Sequence, residues 1–314
     1  MRDCVIVGGG PAGLTAALYL ARFLRSVTVI DAQDGRAQLI PKTHNLAPFP
    51  DGISGLDLLG RMRGHACQYG AVVEPGTVRS VAKQDGVFHI TTDSRSLMAR
   101  TVIFATGVFN HRPPLSSGQH AQGLALGLIR YCPVCDAYEV RDKRIAVLGH
   151  GDHGTKEARF ISHYSPFVTL IPPDGSVGVP QTGIAALSAP MQRISLSETE
   201  VIVTLGTGAS HHFDTLYVAL GTTARSDLAD GLGLGLDTGH IAVDSRQRTS
   251  LDGAYAIGDV TDGLDQIAAA MGQGAIAAAA LHNSLTEKAS RALTQSTAPH
   301  TDGRAATEPR LEVS

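Results

Sequence analysis

The sequence predicts an α/β fold built on two copies of one β-α-β unit, and three observations carry that reading. Glycine clusters follow short apolar runs at two places, Gly8-Gly9-Gly10-Pro11-Ala12-Gly13 and Gly149-His150-Gly151-Asp152-His153-Gly154. After each cluster come a helical pattern and a second apolar run. The composition, 43% hydrophobic and 18% charged over 314 residues, supplies a core for about two domains.

Cys4-Val5-Ile6-Val7 reads as a short buried strand, and Leu14, Ala17, Leu18 and Ala21 mark the helix after the first cluster. Val27 to Asp31 is the second strand, completing a unit of about 30 residues. Residues 32–55 are loop-like, 56–70 helical, and Val72 to Asp93 alternates as strands around an Asp85-Gly86 hairpin turn. Thr101 to Ala105 is a buried strand ending at Thr106-Gly107, and Pro113-Pro114 reads as a linker. The unit then recurs, with strands at Arg144 to Leu148 and Phe167 to Ile171 on either side of the second cluster. Further strands fall within 201–220 and at Ala254 to Ile257, before Gly258-Asp259. An Ala-rich helix over about 265–285 precedes a polar stretch, 286–314, expected to be a flexible tail.

Composition excludes several function classes. The formal net charge is −3 and aromatic residues are 5% with no Trp, which argues against nucleic acid as a partner. No run of about 20 apolar residues is present, so no membrane span is expected. The N-terminal apolar run stops at once in glycines and reads as a strand, not a signal peptide, so a cytoplasmic location is expected. Thirteen histidines show no ligand spacing with carboxylates, so no metal site is expected.

The first cluster has the context of a dinucleotide site. Gly8 makes the tight turn, Gly10 lets the backbone approach a pyrophosphate, and Gly13 lets the helix pack on the sheet. Asp31, at the end of the second strand, is placed to accept from a ribose. The second cluster keeps the glycine spacing at Gly149, Gly151 and Gly154, but no carboxylate ends its second strand, where Pro172-Pro173 stands. No Arg or Lys lies between Phe160 and Met191 to meet a 2′-phosphate. Between the clusters sits Cys132-Pro133-Val134-Cys135-Asp136. A CxxC is a redox dithiol or half a zinc site, and Cys4 and Cys67 are too isolated to complete the latter. In a redox pair the first sulfur exchanges with substrate and the second resolves the mixed disulfide. Asp136 stands beside it as a candidate acid–base group.

Two such motifs with a CxxC between them resemble the low-molecular-weight thioredoxin reductases, class II pyridine nucleotide-disulfide oxidoreductases. The resemblance covers about residues 3–285 and rests on GGGPAG, Gln38-Leu39, Asn45, Ala105-Thr106-Gly107, CPVCD, GHGDHG, Gly258-Asp259 and Gln266-Ile267. It implies two Rossmann-like domains, the second inserted in the first. Residues 1–112 plus 247–285 would bind FAD through Gly8, Gly10, Pro11, Ala12, Gly13, Asp31, Gln38, Asn45, Thr106, Gly107, Gly258, Asp259, Gln266 and Ile267. Residues 113–246 would form the pyridine-nucleotide domain, with Gly149, Gly151 and Gly154 and the dithiol. Cys135 would face the flavin, Cys132 would attack the partner disulfide, and Asp136 would move the proton. Family members rotate the two domains, and the expected hinges are Pro113-Pro114 and Asp244 to Arg248. A thioredoxin-like protein or a small disulfide or dithiol would be the partner, and the enzyme would be a homodimer.

The chain departs from the family where NADPH is read. The His-Arg-Arg group and following Arg that meet the 2′-phosphate are replaced by Pro172-Pro173-Asp174-Gly175, and the flavin-edge Arg-Gln pair is Asp265-Gln266. The expected activity is therefore FAD-dependent disulfide reduction with the nucleotide donor, NAD(P)H or another, left open. A dithiol oxidase passing electrons to oxygen and a flavin redox sensor without turnover are the alternatives.

Overall fold

The computed structural model describes residues 1–176 and 183–296. β1 (Arg2–Val7) turns into α1 (Pro11–Arg22) and returns as β2 (Val27–Asp31). α2 (Gly55–Gln68) leads to β3 (Val72–Pro75) and to the antiparallel meander β4 (Val78–Gln84), β5 (Val87–Thr92) and β6 (Ser96–Phe104). β7 (Val108–Asn110) leaves this domain. The second domain contains α3 (Ser117–Ala125), β8 (Ile129–Arg130), α4 (Pro133–Asp136), β9 (Ile145–Gly149), α5 (Gly151–Ile161), β10 (Val168–Ile171) and β11 (Ala185–Ala186). An antiparallel flap, β12 (Met191–Leu196), β13 (Val201–Leu205) and β14 (Ser210–Phe213), precedes its last strand, β15 (Thr215–Ala219). β16 (Thr222–Ala224) carries the chain back. α6 (Asp227–Asp230), the hairpin β17 (Leu236–Asp237) and β18 (His240–Ile241), β19 (Ala254–Ala256) and α7 (Ile267–Ser296) complete the first domain.

The first sheet has the order β3-β2-β1-β6-β5-β4, with β19 also paired to β6. The second has the order β11-β10-β9-β15-β8 and is parallel throughout. Parallel strands need cover on both faces, and the sequence provides it. β1 is apolar on both sides because α1 and α7 lie over one face, through Ala16, Leu20, Ala277 and Leu281. Ala229, Leu234 and Ile241 lie over the other, with Val5, Phe88 and Val102. The fold is thus α/β with one dinucleotide-type domain inserted in another. Among the described residues no helix is long and apolar enough to cross a membrane.

Two expected boundaries move. The chain returns to the first domain at β16, not near 247, because the leucines and Ala229 of 228–241 bury themselves in the first core. Nothing in that Gly- and Asp-rich stretch announces the return, so sequence reading gave it to the second domain. Asp244 to Arg248 is consequently no hinge. Asp244 and Arg248 close a turn on each other, and Arg248 bridges to Tyr255 of β19. The two crossings lie side by side instead, with β7 and β16 paired antiparallel, Asn110 opposite Thr222 and Val108 opposite Ala224. The last helix also runs past the expected end at 285, through Ser296. Arg25 holds it by bonds to His282 and Thr286, and Lys288 pairs with Asp252. The remainder of the expected tail, 297–314, lies outside the described residues.

Two glycines of α7 separate packing from propensity. A Cβ on Gly274 would stand 2.5 Å from the Ala12 carbonyl oxygen, whereas one on Gly272 meets nothing within 4 Å. Gly274→Ala is expected to lower unfolding stability by about 1–3 kcal/mol through overpacking. Gly272→Ala is expected to raise it by about 0.5–1 kcal/mol, the usual helix gain. Urea unfolding midpoints of the two variants check this; equal shifts of the same sign would refute the close α1–α7 crossing.

Candidate active site

β1 ends at Gly8, whose φ of +113° is open to glycine. A Cβ there would meet the Ala105 carbonyl oxygen at 2.2 Å, and one on Gly13 would meet the Gly8 carbonyl oxygen at 2.1 Å. Gly10 is different: nothing lies within 4 Å of where its Cβ would be. Its backbone faces a cavity of about 710 Å³ that the first glycine cluster lines. α1 starts there with Pro11 at its first position and no side-chain cap. Pro costs nothing at that position, and the uncapped first-turn N–H groups are left for an anion.

The same cavity brings together most of the expected site. Gly8, Gly10, Pro11, Ala12, Asp31, Gln38, Asn45, Thr106, Gly107, Gly258, Asp259, Gln266 and Ile267 line it, and so do Cys132, Cys135 and Asp136 of the second domain. Gly13 supports the turn from behind, and Gly149, Gly151 and Gly154 stand elsewhere.

Charged partners that sequence reading missed hold several of these groups. Asp31 is buried, with one oxygen accepting from the Gln33 N–H and the other paired with Arg63 of α2 at 2.5 Å. Asp259 is pushed up to about 6 by burial and by the nearby Asp265 charge, against the pull of Arg36. Arg36 lies 3.3 Å from Asp259 and 2.7 Å from Asp265. Its position in the loop expected at 32–55 gave no helical or strand period to place it, and only the fold brings it to the last helix.

The disulfide Cys132–Cys135 opens α4 and faces the first domain. Gln266, immediately before α7, directs its amide Nε2 at both sulfurs, 3.3 Å from each. Asn45 fixes which way that amide points, donating from Nδ2 to Gln266 Oε1 at 2.9 Å. Thr43 in turn donates to Asn45 Oδ1 at 2.8 Å. Oε1 lies farther, 3.8 Å from Cys135 Sγ, so the N–H side of the amide is the nearer to the dithiol. His44 and Glu139, 3.2 Å apart, add a second contact across the same boundary.

Asp136 sits behind the pair. Arg130 of β8 reaches one carboxylate oxygen at 2.7 Å, and the buried Tyr217 hydroxyl of β15 donates to the other at 2.8 Å. Burial pushes Asp136 above the usual carboxylate range, while Arg130 and Tyr217 draw it back. Burial and the adjacent Asp136 charge push the Tyr217 phenol well above its ordinary value. Neither partner was legible in sequence, since Arg130 and Tyr217 are ordinary strand residues 87 positions apart.

The second glycine cluster makes the same tight crossing as the first. A Cβ on Gly149 would meet the Ala219 carbonyl oxygen at 2.7 Å, and one on Gly154 would meet the Gly149 carbonyl carbon at 2.7 Å. Gly151 is open, with a φ of +58°. Beyond the second strand, Asp174 is engaged by the Ser176 N–H at 3.0 Å and the Ser176 hydroxyl at 2.5 Å. Glu157 of α5 is half-buried; its Oε2 is shielded from solvent with no hydrogen-bond partner among the described residues, while Oε1 lies 3.3 Å from His153. Burial pushes its carboxyl up to about 7, with Arg36 of the first domain pulling the other way.

The family model for pyridine nucleotide-disulphide oxidoreductases matches residues 2–274. A thioredoxin reductase from Treponema pallidum is 32% identical over 88% of this chain and 94% of its own. One from Listeria monocytogenes is 30% identical over 88% of this chain and 91% of its own. The solved structure of thioredoxin reductase from Streptococcus pyogenes superposes with a TM-score of 0.84 at 26% identity, covering 91% of this chain and 99% of that one.

Glu157 generates a pH prediction. Folded, it keeps its proton to about pH 7; unfolded, it ionises near 4.5. Between those values the unfolded state binds fewer protons, so stability falls as pH rises and stays lower above pH 7. Glu157→Gln removes that loss. The variant is expected to match the parent near pH 4 and to exceed it by about 1–3 kcal/mol at pH 8, measured as the melting-temperature difference at the two pH values. A difference that does not grow with pH would refute the buried, protonated carboxyl.

Proposed function

The chain belongs to the pyridine nucleotide-disulphide oxidoreductase family, and from that premise we propose how its residues share the reaction. It is an FAD-dependent thiol-disulfide oxidoreductase of the thioredoxin reductase type. The open backbone at Gly10 and the uncapped start of α1 fit a pyrophosphate, and the cavity beyond them is long enough to reach from Asp31 to Gln266. In our assignment the first domain, 1–110 with 225–296, holds FAD. Gly8, Gly10, Pro11, Ala12 and Gly13 form its phosphate turn. Asp31 and Arg63 stand at one end, Gln38, Thr106, Gly107, Gly258 and Asp259 along its length, and Asn45, Gln266 and Ile267 at the other. FAD bound there supplies two-electron exchange between an electron donor and the dithiol.

The observation that carries this reading is the placement of both sulfurs on the wall of that cavity, each 3.3 Å from Gln266 Nε2. In the reduced pair the Cys132 thiolate attacks a partner disulfide, releasing one thiolate. The Cys135 thiolate then attacks the Cys132 sulfur, releasing the second and restoring the disulfide. Two electrons leave the dithiol and two enter the partner. The Gln266 amide stabilises thiolate charge as a hydrogen-bond donor, and Asp136 moves the proton between the pair and solvent, with Arg130 and Tyr217 setting its acidity. A thioredoxin-like protein or a small disulfide serves as partner, and by family likeness the enzyme works as a cytoplasmic homodimer. The second domain, 113–221, contributes Gly149, Gly151 and Gly154 to a nucleotide. Those glycines do not line the shared cavity, so nucleotide and dithiol take turns there as the domains turn about the β7–β16 ribbon.

Cys135→Ser is expected to abolish dithiol–flavin exchange in protein that still releases FAD on denaturation. Cys132→Ser leaves a thiolate beside the flavin, expected as a long-wavelength absorbance band. Full disulfide-reducing turnover by both variants would overturn the assignment.

The donor follows from what the second domain lacks. Each lost charge-assisted contact to a 2′-phosphate costs roughly 1.5–3 kcal/mol, so losing two weakens NADPH by about two to four decades. Asp174, ionised and held below the usual range by Ser176, repels a phosphate. NADPH is therefore expected to show no strong preference over NADH in anaerobic stopped-flow reduction of the flavin. Rapid, NADPH-selective bleaching would refute this. Slow bleaching by both nucleotides with rapid bleaching by a dithiol would favour the reverse direction, dithiol oxidation.

A further inference from the structure

Beside the large cavity lies a smaller chamber of about 320 Å³. Eight of its ten lining residues also line the large cavity, and the two of its own are Arg112 and His120. Tyr131, the neighbour of Cys132, stands in both. The chamber therefore adjoins the large cavity, which the two cysteines line, on the side of the β7–β16 ribbon. Leu39, Val108 and Phe109 form an apolar wall, and Phe109 is 47% exposed at the mouth.

Of the chamber's three guanidinium groups, two are paired with carboxylates. Arg225 is neutralised by Asp34 at 2.7 Å, and Arg36 by Asp259 and Asp265. His120 is buried and bonded through Nε2 to the Tyr131 hydroxyl at 2.7 Å. Burial, with Arg112 nearby, holds His120 below its ordinary value, and burial pushes the Tyr131 phenol up to about 12, so this pair is neutral. Among the described residues Arg112 is in no ion pair. It is an uncompensated guanidinium at an apolar, aromatic mouth.

We propose that the chamber binds a small organic disulfide bearing a carboxylate, its anionic group on Arg112 and its apolar body against Phe109, Val108 and Leu39. This rests on the assignment of Cys132 as the exchanging sulfur. A space of this size lies at the lower end of ligand pockets and admits a small molecule, not a protein loop with its flanks. The planar guanidinium suits a carboxylate bidentately. With the carboxylate held there, the disulfide lies toward Tyr131 and Cys132. Cys132 thiolate displaces one organic thiolate, and Cys135 thiolate displaces the other. The substrate gains the two electrons that the dithiol loses, and the protein disulfide forms.

The test uses the flavin-loaded enzyme, with 5,5′-dithiobis(2-nitrobenzoate) as an aromatic dicarboxylate disulfide and bis(2-hydroxyethyl) disulfide as a neutral one. Arg112→Gln is expected to lower kcat/KM for the dicarboxylate about 10- to 100-fold, mainly through KM, and to leave the neutral disulfide within about twofold. Phe109→Ala is expected to weaken the aromatic probe more than the neutral one. Equilibrium dialysis of 4-nitrobenzoate gives a readout without turnover, with binding present in the parent and lost in Arg112→Gln. Equal effects of Arg112→Gln on both disulfides, with dialysis unchanged, would overturn the chamber while the disulfide reductase reading stands. Arg112-dependent dialysis in an enzyme that turns over neither disulfide would keep the chamber as a carboxylate site and overturn the reductase direction.

Discussion

The close crossing of backbone on backbone at the first glycine turn is the constraint from which the rest of the molecule is built. Gly8 lets β1 pass over the Ala105 carbonyl, Gly13 lets α1 sit on Gly8, and Gly274 lets α7 lie on the Ala12 carbonyl. Each approach is shorter than a Cβ allows. Together they pull α1 and α7 into contact with their N-terminal ends toward one cavity. The uncapped start of α1 gives that cavity backbone donors for a pyrophosphate, and the start of α7 brings Gln266 and Ile267 to its wall. A looser packing would leave α7 displaced, and Gln266 with it.

Gln266 joins this scaffold to the chemistry. Its amide can point only one way, because Asn45 donates to its oxygen. Asn45 Nδ2 also faces the Val134 carbonyl at 3.5 Å, a group that can only accept, and Thr43 bonds Asn45 Oδ1 on the other side. The nitrogen is therefore presented to the sulfurs by a chain of three side chains, all from the first domain, acting on a disulfide in the second. Within the second domain the balance is electrostatic. Burial alone would keep Asp136 neutral, but a guanidinium and a phenol on its two oxygens offset that penalty. The balance leaves Asp136 above its ordinary value, so it holds a proton more tightly than an exposed carboxyl and releases it more readily than one that is simply buried.

What sequence showed and what it hid divide by distance along the chain. The turn at 8–13, the CxxC and Asp136 were legible because their chemistry is local: neighbours in sequence are neighbours in the site. Gln266 was legible only by resemblance, which placed it beside a flavin and gave no hint that its amide meets the sulfurs. Arg36, Arg63, Arg130 and Tyr217 were invisible, since each acts across 6 to 229 positions and each is an unremarkable residue in its own element. The return of the chain at 225 was misread for a related reason. Segment 225–246 has little regular structure, so no period marked its apolar side, yet Ala229, Leu234 and Ile241 are what cover the second face of the first sheet.

The same structure implies how readily the two domains part. Besides their shared cavity wall they are tied by polar contacts that are few and partly exposed: the Gln266 amide on sulfur, the Asn45 and Val134 contact, and His44 with Glu139. Each is worth about 1 kcal/mol or less when water can replace it. The two chain crossings themselves run through short strands, β7 and β16, which pair with each other at three residue positions. Interfaces of this kind allow relative domain motion as the ordinary expectation. The tight crossings sit inside each domain and the weak contacts between them, so the chain can turn at its ribbon without disturbing either glycine turn.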